Sequence, residues 1–286
     1  LIGLVVGSGW MSLGRSPQLG MWLFVLIALA FVGGLLALFL ASAPARAYRE
    51  ARMFQLLWDN IGVSQVARFK CDLGTGGYVW LRIRNSGFYD NENGILTNSG
   101  PTSLVIEGSE FARNGRGDGF THNLYVGQID RLTVSASYFH EAKVGHNLKS
   151  RARESLIDNS YLMDGPTGTA SYVADFPNGG RVVMRGNLLH KGPNAQNPSA
   201  ISFGAEGLTH PTNTLELTHN TVASTRSGGA FVAVYAGTQS VNLKANLFAG
   251  TGNQAVLTGS FASGNAVQTG NVSGLAGNIN ITAASI

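Results

Sequence analysis

Apolar positions divide the chain into two unlike parts. From Met21 to Leu40 they form one unbroken run, MWLFVLIALAFVGGLLALFL, long enough to cross a bilayer core of about 30 Å at about 1.5 Å per helical residue. Met53, Leu56, Leu57 and Ile61 then recur at helical spacing with Arg and Gln between them, which predicts an amphipathic helix within residues 48–70. After Gly74-Thr75-Gly76-Gly77 the pattern changes to short alternating runs separated by Gly and Asn, the period of β-strands.

One signature repeats through this second part. LRIRNSGF (81–88), LVIEGSEF (104–111), LTVSASYF (132–139), LIDNSYL (156–162), VMRGNLL (183–189), ELTHNTV (216–222) and NLKANLF (242–248) each carry Ser or Asn, then any residue, then a large apolar one. The polar column is Ser86, Ser109, Ser137, Ser160, Asn187, Asn220, Asn246 and Asn271, about 26 residues apart on average. The apolar column is Phe88, Phe111, Phe139, Leu162, Leu189, Val222 and Phe248, and fails at Ser273, which predicts a fraying last coil over 264–286.

Short strands at this period, with no helix between them, predict an all-β fold: a parallel β-helix of about eight coils behind an N-terminal helical segment. Stacked coils bury each apolar column as an internal ladder, and a Ser/Asn column can hydrogen-bond from coil to coil. A β-sandwich gives no reason for one signature to recur in register, and the leucine-rich framework and the G-G-x-G-x-D array are both missing from the sequence. The domain reading is therefore 1–47 as membrane anchor or export signal, 48–75 as cap or linker, and 76–286 as the β-helix. For residues 48–70 an interfacial helix beside the membrane is the alternative, and for residues 1–75 as a whole, a misjoined reading frame.

Over roughly residues 79–275 the sequence resembles the right-handed parallel β-helix proteins of the pectate-lyase-like superfamily. GDGFTHNLYVG (117–127), VGHNLKSRA (144–152) and TASYVADFPNGG (169–180) are similar to stretches of largely uncharacterised bacterial members. The resemblance implies the fold and work on polysaccharide. It also implies calcium as a charge-neutralising ion, although no cluster of carboxylates is placed to hold one; the residues themselves call for no cofactor.

Composition narrows the function. Glycine is 38 of 286 residues and charged residues only 13%, against 44% hydrophobic, so the chain buries a core and disorder is excluded. Net charge is +4, but residues 1–75 hold six basic residues and three acidic ones, leaving the β-helix at +1. A nearly neutral body argues against nucleic acid. Cys71 is the single cysteine, so no intramolecular disulfide forms. Ala41-Ser42-Ala43 and Ala45-Arg46-Ala47 offer signal-peptidase sites, so a cleaved export signal competes with a retained anchor. Arg46, Arg49 and Arg52 after the apolar run would by the positive-inside rule hold the following chain in the cytoplasm, and topology stays open between these readings.

Candidate chemistry gathers where His122-Asn123-Leu124-Tyr125-Val126, His146-Asn147-Leu148-Lys149-Ser150 and Ser171-Tyr172-Val173-Ala174-Asp175 align on successive coils. Strand alternation predicts Leu124, Leu148 and Val173 inside, with Asn123, Tyr125, Asn147, Lys149, Arg151 and Tyr172 outside as one polar and aromatic strip. Lys143, Lys149, Arg151 and Arg153 lie within eleven residues and suit a uronate, although a solvated basic turn explains them equally well.

A lyase needs a base, an acid and cations for the sugar carboxylate. The assignments are Lys149 or His146 as base, Tyr125 as acid, and Asn123, Asn147 and Arg151 on the carboxylate. Asp118 and Asp175 are the only carboxylates near the strip, two coils apart and with Asp175 facing in, which disfavours a hydrolase. His122, His140 and His146 could bind a metal, but a stacked imidazole pair belongs more readily to an internal ladder, and no metal is assigned. The RGD triplet at Arg116–Asp118 reads as chance. The expectation is an exported or membrane-tethered β-helix that binds and cleaves an acidic polysaccharide, with non-catalytic binding of glycan or a protein partner as the alternative.

Overall fold

The structure, a computed structural model, describes residues 79–250, 254–260 and 265–275. The apolar run at 21–40 and the amphipathic segment at 48–70 lie outside the described residues.

Over the described residues the chain winds as a parallel β-solenoid of seven complete turns and part of an eighth. The turns are β1 (Val79–Arg84), β2 (Gly87–Tyr89), β3 (Ile95–Leu96); β4 (Gly100–Glu107), β5 (Glu110–Ala112), β6 (Leu124–Val126); β7 (Ile129–Ser135), β8 (Tyr138–His140), β9 (Leu148–Ser150); β10 (Glu154–Asp158), β11 (Tyr161–Met163), β12 (Ala174–Phe176). They continue with β13 (Arg181–Arg185), β14 (Leu188–Lys191), β15 (Ser199–Phe203); β16 (Thr214–Thr218), β17 (Thr221–Ser224), β18 (Ala230–Val234); β19 (Ser240–Lys244), β20 (Leu247–Gly250), β21 (Ala255–Gly259); and β22 (Ala266–Thr269), β23 (Val272–Leu275). The first, second and third strands of each turn stack into three sheets, A, B and C.

Register puts like residues above like, so the repeat in the sequence becomes columns in the core. On sheet B, Phe88, Phe111, Phe139, Leu162, Leu189, Val222 and Phe248 pair in succession. The first three rings stack with centroids 4.6 Å apart, the spacing of neighbouring strands. The column loses register after Leu247, where Ser273 replaces an apolar residue. On sheet A, Ile83, Ile106, Val134, Ile157, Met184, Leu217 and Leu243 form a second buried column.

The Ser/Asn column forms the ladder that the sequence predicts. Each main-chain N–H donates to the side-chain oxygen of the next turn, from Ser86 to Ser109 at 3.2 Å through to Asn246 to Asn271 at 2.9 Å. The serine hydroxyls donate to the carbonyl two residues back, and the asparagine amides reach the carbonyl of the preceding turn. The residue before each rung is left-handed: Asn85, Gly108, Ala136, Asn159, Gly186, His219, Ala245 and Gly270 have φ between 46° and 63°. This turn carries the chain from sheet A to sheet B, and the rung satisfies the amides it frees.

Candidate functional site

The outward column of sheet C runs Leu96, Tyr125, Lys149, Asp175, Ser202, Ala233, Thr258. Asp175, expected to face in, therefore stands outward beside Lys149. Val173 is buried in the core as expected, but the residue that pairs with Leu148 in the column of Leu124 is Ala174, a register correction of one residue.

Asn123 and Asn147 do not point outward. The chain bends into sheet C at Asn123–Leu124 and Asn147–Leu148, where two successive side chains are fully buried, so alternation does not extend into the bend. Both amides belong to a second internal ladder. Asn114 Nδ2 donates to Asn123 Oδ1 (2.8 Å), Asn123 Nδ2 to Asn147 Oδ1 (2.9 Å) and Asn147 Nδ2 to Asp164 Oδ1 (3.0 Å). With their amides spent on turns, they are removed from the carboxylate-binding set.

His122, His146 and Tyr172 form the neighbouring column. The His146 N–H donates to His122 Nδ1 (2.9 Å) and the Tyr172 N–H to His146 Nδ1 (3.2 Å), with the two imidazoles stacked 4.7 Å apart. A ring that accepts at Nδ1 holds its proton on Nε2. Burial pushes His122 down to about 3 and His146 well below the usual imidazole range. His146 Nε2 then faces Asp175 Oδ2 at 3.4 Å as donor, so the assignment of His146 as base is corrected. Burial also holds the Tyr172 phenol above its ordinary range, beside Tyr235 and Ser202.

His140 lies elsewhere, on β8 of sheet B, between Glu141 (2.9 Å) and Glu110 (3.1 Å). Asp118 caps its own turn, its Oδ1 accepting from the Phe120 and Thr121 amides and the Thr121 hydroxyl. Those bonds hold its carboxyl below the usual range. Lys143 pairs with Asp90 and Arg153 with Asp130, so the predicted basic cluster separates and only Lys149 and Arg151 converge.

They converge on Glu206, which the sequence reading did not single out. Lys149 Nζ donates to Oε1 at 2.8 Å and Arg151 Nη2 to Oε2 at 2.5 Å, one cation for each oxygen of a single carboxylate. Tyr125 forms the floor, its ring centroid 5.8 Å from Lys149 Nζ and 5.6 Å from the Arg151 guanidinium. Arg151 Nε donates to Tyr125 Oη at 2.8 Å, and Nη1 to Asn178 Oδ1. The backbone around Glu206 is anchored by bonds from Gly204 to Phe176, Glu206 to Pro177 and Thr209 to Asn178. Leu208 packs on the core beside it.

Asp175 completes the group. Its Oδ2 lies 3.7 Å from Lys149 Nζ, and Oδ1 meets no hydrogen-bond partner of ordinary geometry. Burial pushes its carboxyl up to about 6, partly offset by Lys149. For Glu206 burial acts in the same direction, but the bonds from Lys149 and Arg151 prevail and hold it below the usual range. The carboxylate pair of this face is thus Asp175 with Glu206, not Asp175 with Asp118. Their distances from a shared Nζ cap their separation near the short limit of the about 6.5–9.5 Å used by inverting glycosidases. Among the described residues no group of His, Cys, Asp and Glu has the geometry of a metal site, and no helix is long and apolar enough to cross a membrane.

A family model described as a bacterial protein of unknown function (DUF898) matches residues 1–89, ending with β2 of the first turn. No curated protein and no solved structure matches the chain.

Proposed function

We propose that this β-solenoid binds an acidic polysaccharide along the outer face of sheet C and cleaves it by β-elimination. The observation that carries the reading is the clamp. Two cations, each largely covered, hold the two oxygens of one carboxylate above an aromatic ring, the arrangement that a uronate carboxylate requires. The resemblance to pectate-lyase-like proteins points to the same substrate class. Residues 21–40 supply an export signal or anchor that would bring the domain to such a polymer.

In the elimination, Lys149 and Arg151 hold the sugar carboxylate and stabilise the charge that develops when the neighbouring carbon loses its proton. Asp175 takes that proton. A carboxyl pushed up to about 6 by burial, 3.7 Å from Lys149 Nζ, suits a base at neutral pH. The electron pair forms the ring double bond, the glycosidic carbon–oxygen bond breaks, and Tyr125 donates its hydroxyl proton to the departing oxygen. Arg151 Nε already occupies a Tyr125 lone pair, which directs that O–H away from the guanidinium.

The test is the ultraviolet absorbance of unsaturated uronate products over a panel of uronate polymers. Product that disappears in Asp175→Asn and Tyr125→Phe, while binding persists, supports elimination. Binding without product from any polymer replaces it with a non-catalytic glycan-binding role, and no binding removes both.

A further inference from the structure

The clamp is already full. We infer that Glu206 is a built-in occupant of the carboxylate subsite, so that a uronate enters by exchanging its carboxylate for that of Glu206. This inference rests on the acidic-polysaccharide reading above and adds a specificity element to it.

Three observations carry it. First, stoichiometry: Lys149 Nζ and Arg151 Nη2 take one oxygen each of one carboxylate, so a second carboxylate finds no equivalent pair of donors while Glu206 is in place. Second, exposure: the Glu206 side chain is 45% exposed, while Lys149 and Arg151 are 10% and 18% exposed. The covering group faces solvent and the covered ones do not. Third, anchoring: the main chain around Glu206 is tied to Phe176, Pro177 and Asn178, with Leu208 against the core. Exchange therefore needs only rotation of the Glu206 side chain, and the loop stays in place.

The exchange is one of like for like. Removing Glu206 without replacement would leave two largely covered cations unpaired, which is costly, so the clamp opens to an anion of the right shape and stays shut to neutral sugars. A ligand that binds only the open clamp has an apparent dissociation constant raised by the reciprocal of the open fraction. An occupant that fills nine clamps in ten thus weakens uronate binding about tenfold.

The full-length protein is titrated calorimetrically with trigalacturonate, triguluronate and, as neutral control, maltotriose, in wild type, Glu206→Gln and Glu206→Gln/Arg151→Ala. Urea midpoints establish that each variant is folded. The expected result is uronate binding tightened about tenfold or more in Glu206→Gln, unchanged indifference to maltotriose, and loss of the gain in the double variant. Wild-type uronate binding that Glu206→Gln leaves unchanged or weakens overturns the occupant role and leaves the polysaccharide reading standing. Wild type and Glu206→Gln both failing to bind any uronate overturns the reading itself, and the occupant role with it.

Discussion

The main-chain N–H of His146 donates to Nδ1 of His122 at 2.9 Å, and that bond fixes where the His122 ring carries its proton. His146 in turn accepts the Tyr172 amide at its own Nδ1, so each ring is neutral with its proton on Nε2. Nitrogen-15 NMR is expected to report unprotonated Nδ1 and protonated Nε2 for both residues, with His122 holding that state down to about pH 3. Under the proposed elimination, His146→Gln is expected to lower stability and to slow turnover without abolishing it, because the ring faces the Asp175 carboxylate rather than substrate. Loss of turnover at unchanged stability would return His146 to the catalytic set.

The Ser/Asn ladder should be costliest to break in its asparagine half. Asn220 Oδ1 accepts both the main-chain and the side-chain N–H of Asn187, and its own amide reaches the Met184 carbonyl and Asn246. Asn220→Ala strands several buried groups at about 1–3 kcal/mol each. A loss of at least ~3 kcal/mol is therefore expected by urea denaturation. Ser137→Ala, which gives up one accepted and one donated bond, should cost distinctly less. Equal losses would mean that the asparagine amides contribute little.

The left-handed turn before each rung makes an opposite pair of predictions. Ala245, at φ 50°, sits in a conformation that costs a residue with a Cβ about 1–2 kcal/mol. Ala245→Gly is expected to stabilise by about 0.5–1 kcal/mol once the added freedom of the unfolded chain is subtracted. Gly186→Ala should destabilise, because at φ 63° its new Cβ would meet Asn159 Oδ1 at 2.4 Å. Thermal unfolding distinguishes the two signs directly.

Acid stability balances two buried populations. Burial pushes Asp164 and Asp175 up to about 6, so between about pH 6 and their unfolded value the folded chain binds more protons and gains stability as pH falls. Burial pushes His122 down to about 3 and His190 down to about 4. Below the unfolded histidine value the unfolded chain binds more protons, so stability is lost as pH falls. Asp175→Asn removes one of the gains. Its urea midpoint should fall more steeply than that of wild type between pH 6.5 and 4.5, and parallel curves would contradict the assignment.

Much of the fold is legible in the sequence because stacking turns converts a repeat directly into contact. Phe88, Phe111 and Phe139 are aligned by spacing alone and meet ring on ring. The strip is less legible, since β6, β9 and β12 have only three residues each and alternation fails at the bends that precede them. Asn123 and Asn147 sit in those bends, and aligning Val173 with Leu148 by sequence sets Ala174 where Asp175 stands, beside Lys149. Glu206 lies 57 residues from Lys149, in a connection outside the strand pattern. Its signal was the 33-residue step from Asn187 to Asn220, the longest in the ladder, which marks inserted chain between β15 and β16.

The ladder also has a direction. From Ser109 to Asn246 each rung accepts from the turn before it and offers its own main-chain N–H to the turn after it, so a tube that winds from its N-terminal end leaves its newest rung as an open donor until the next turn arrives. Growth at that end supplies the missing acceptor, whereas the first described rung, Ser86, faces the other way with its side-chain oxygen. The tube is a one-way polymer written within a single chain, and turns can be added or removed as whole units where a rung hands on to the next.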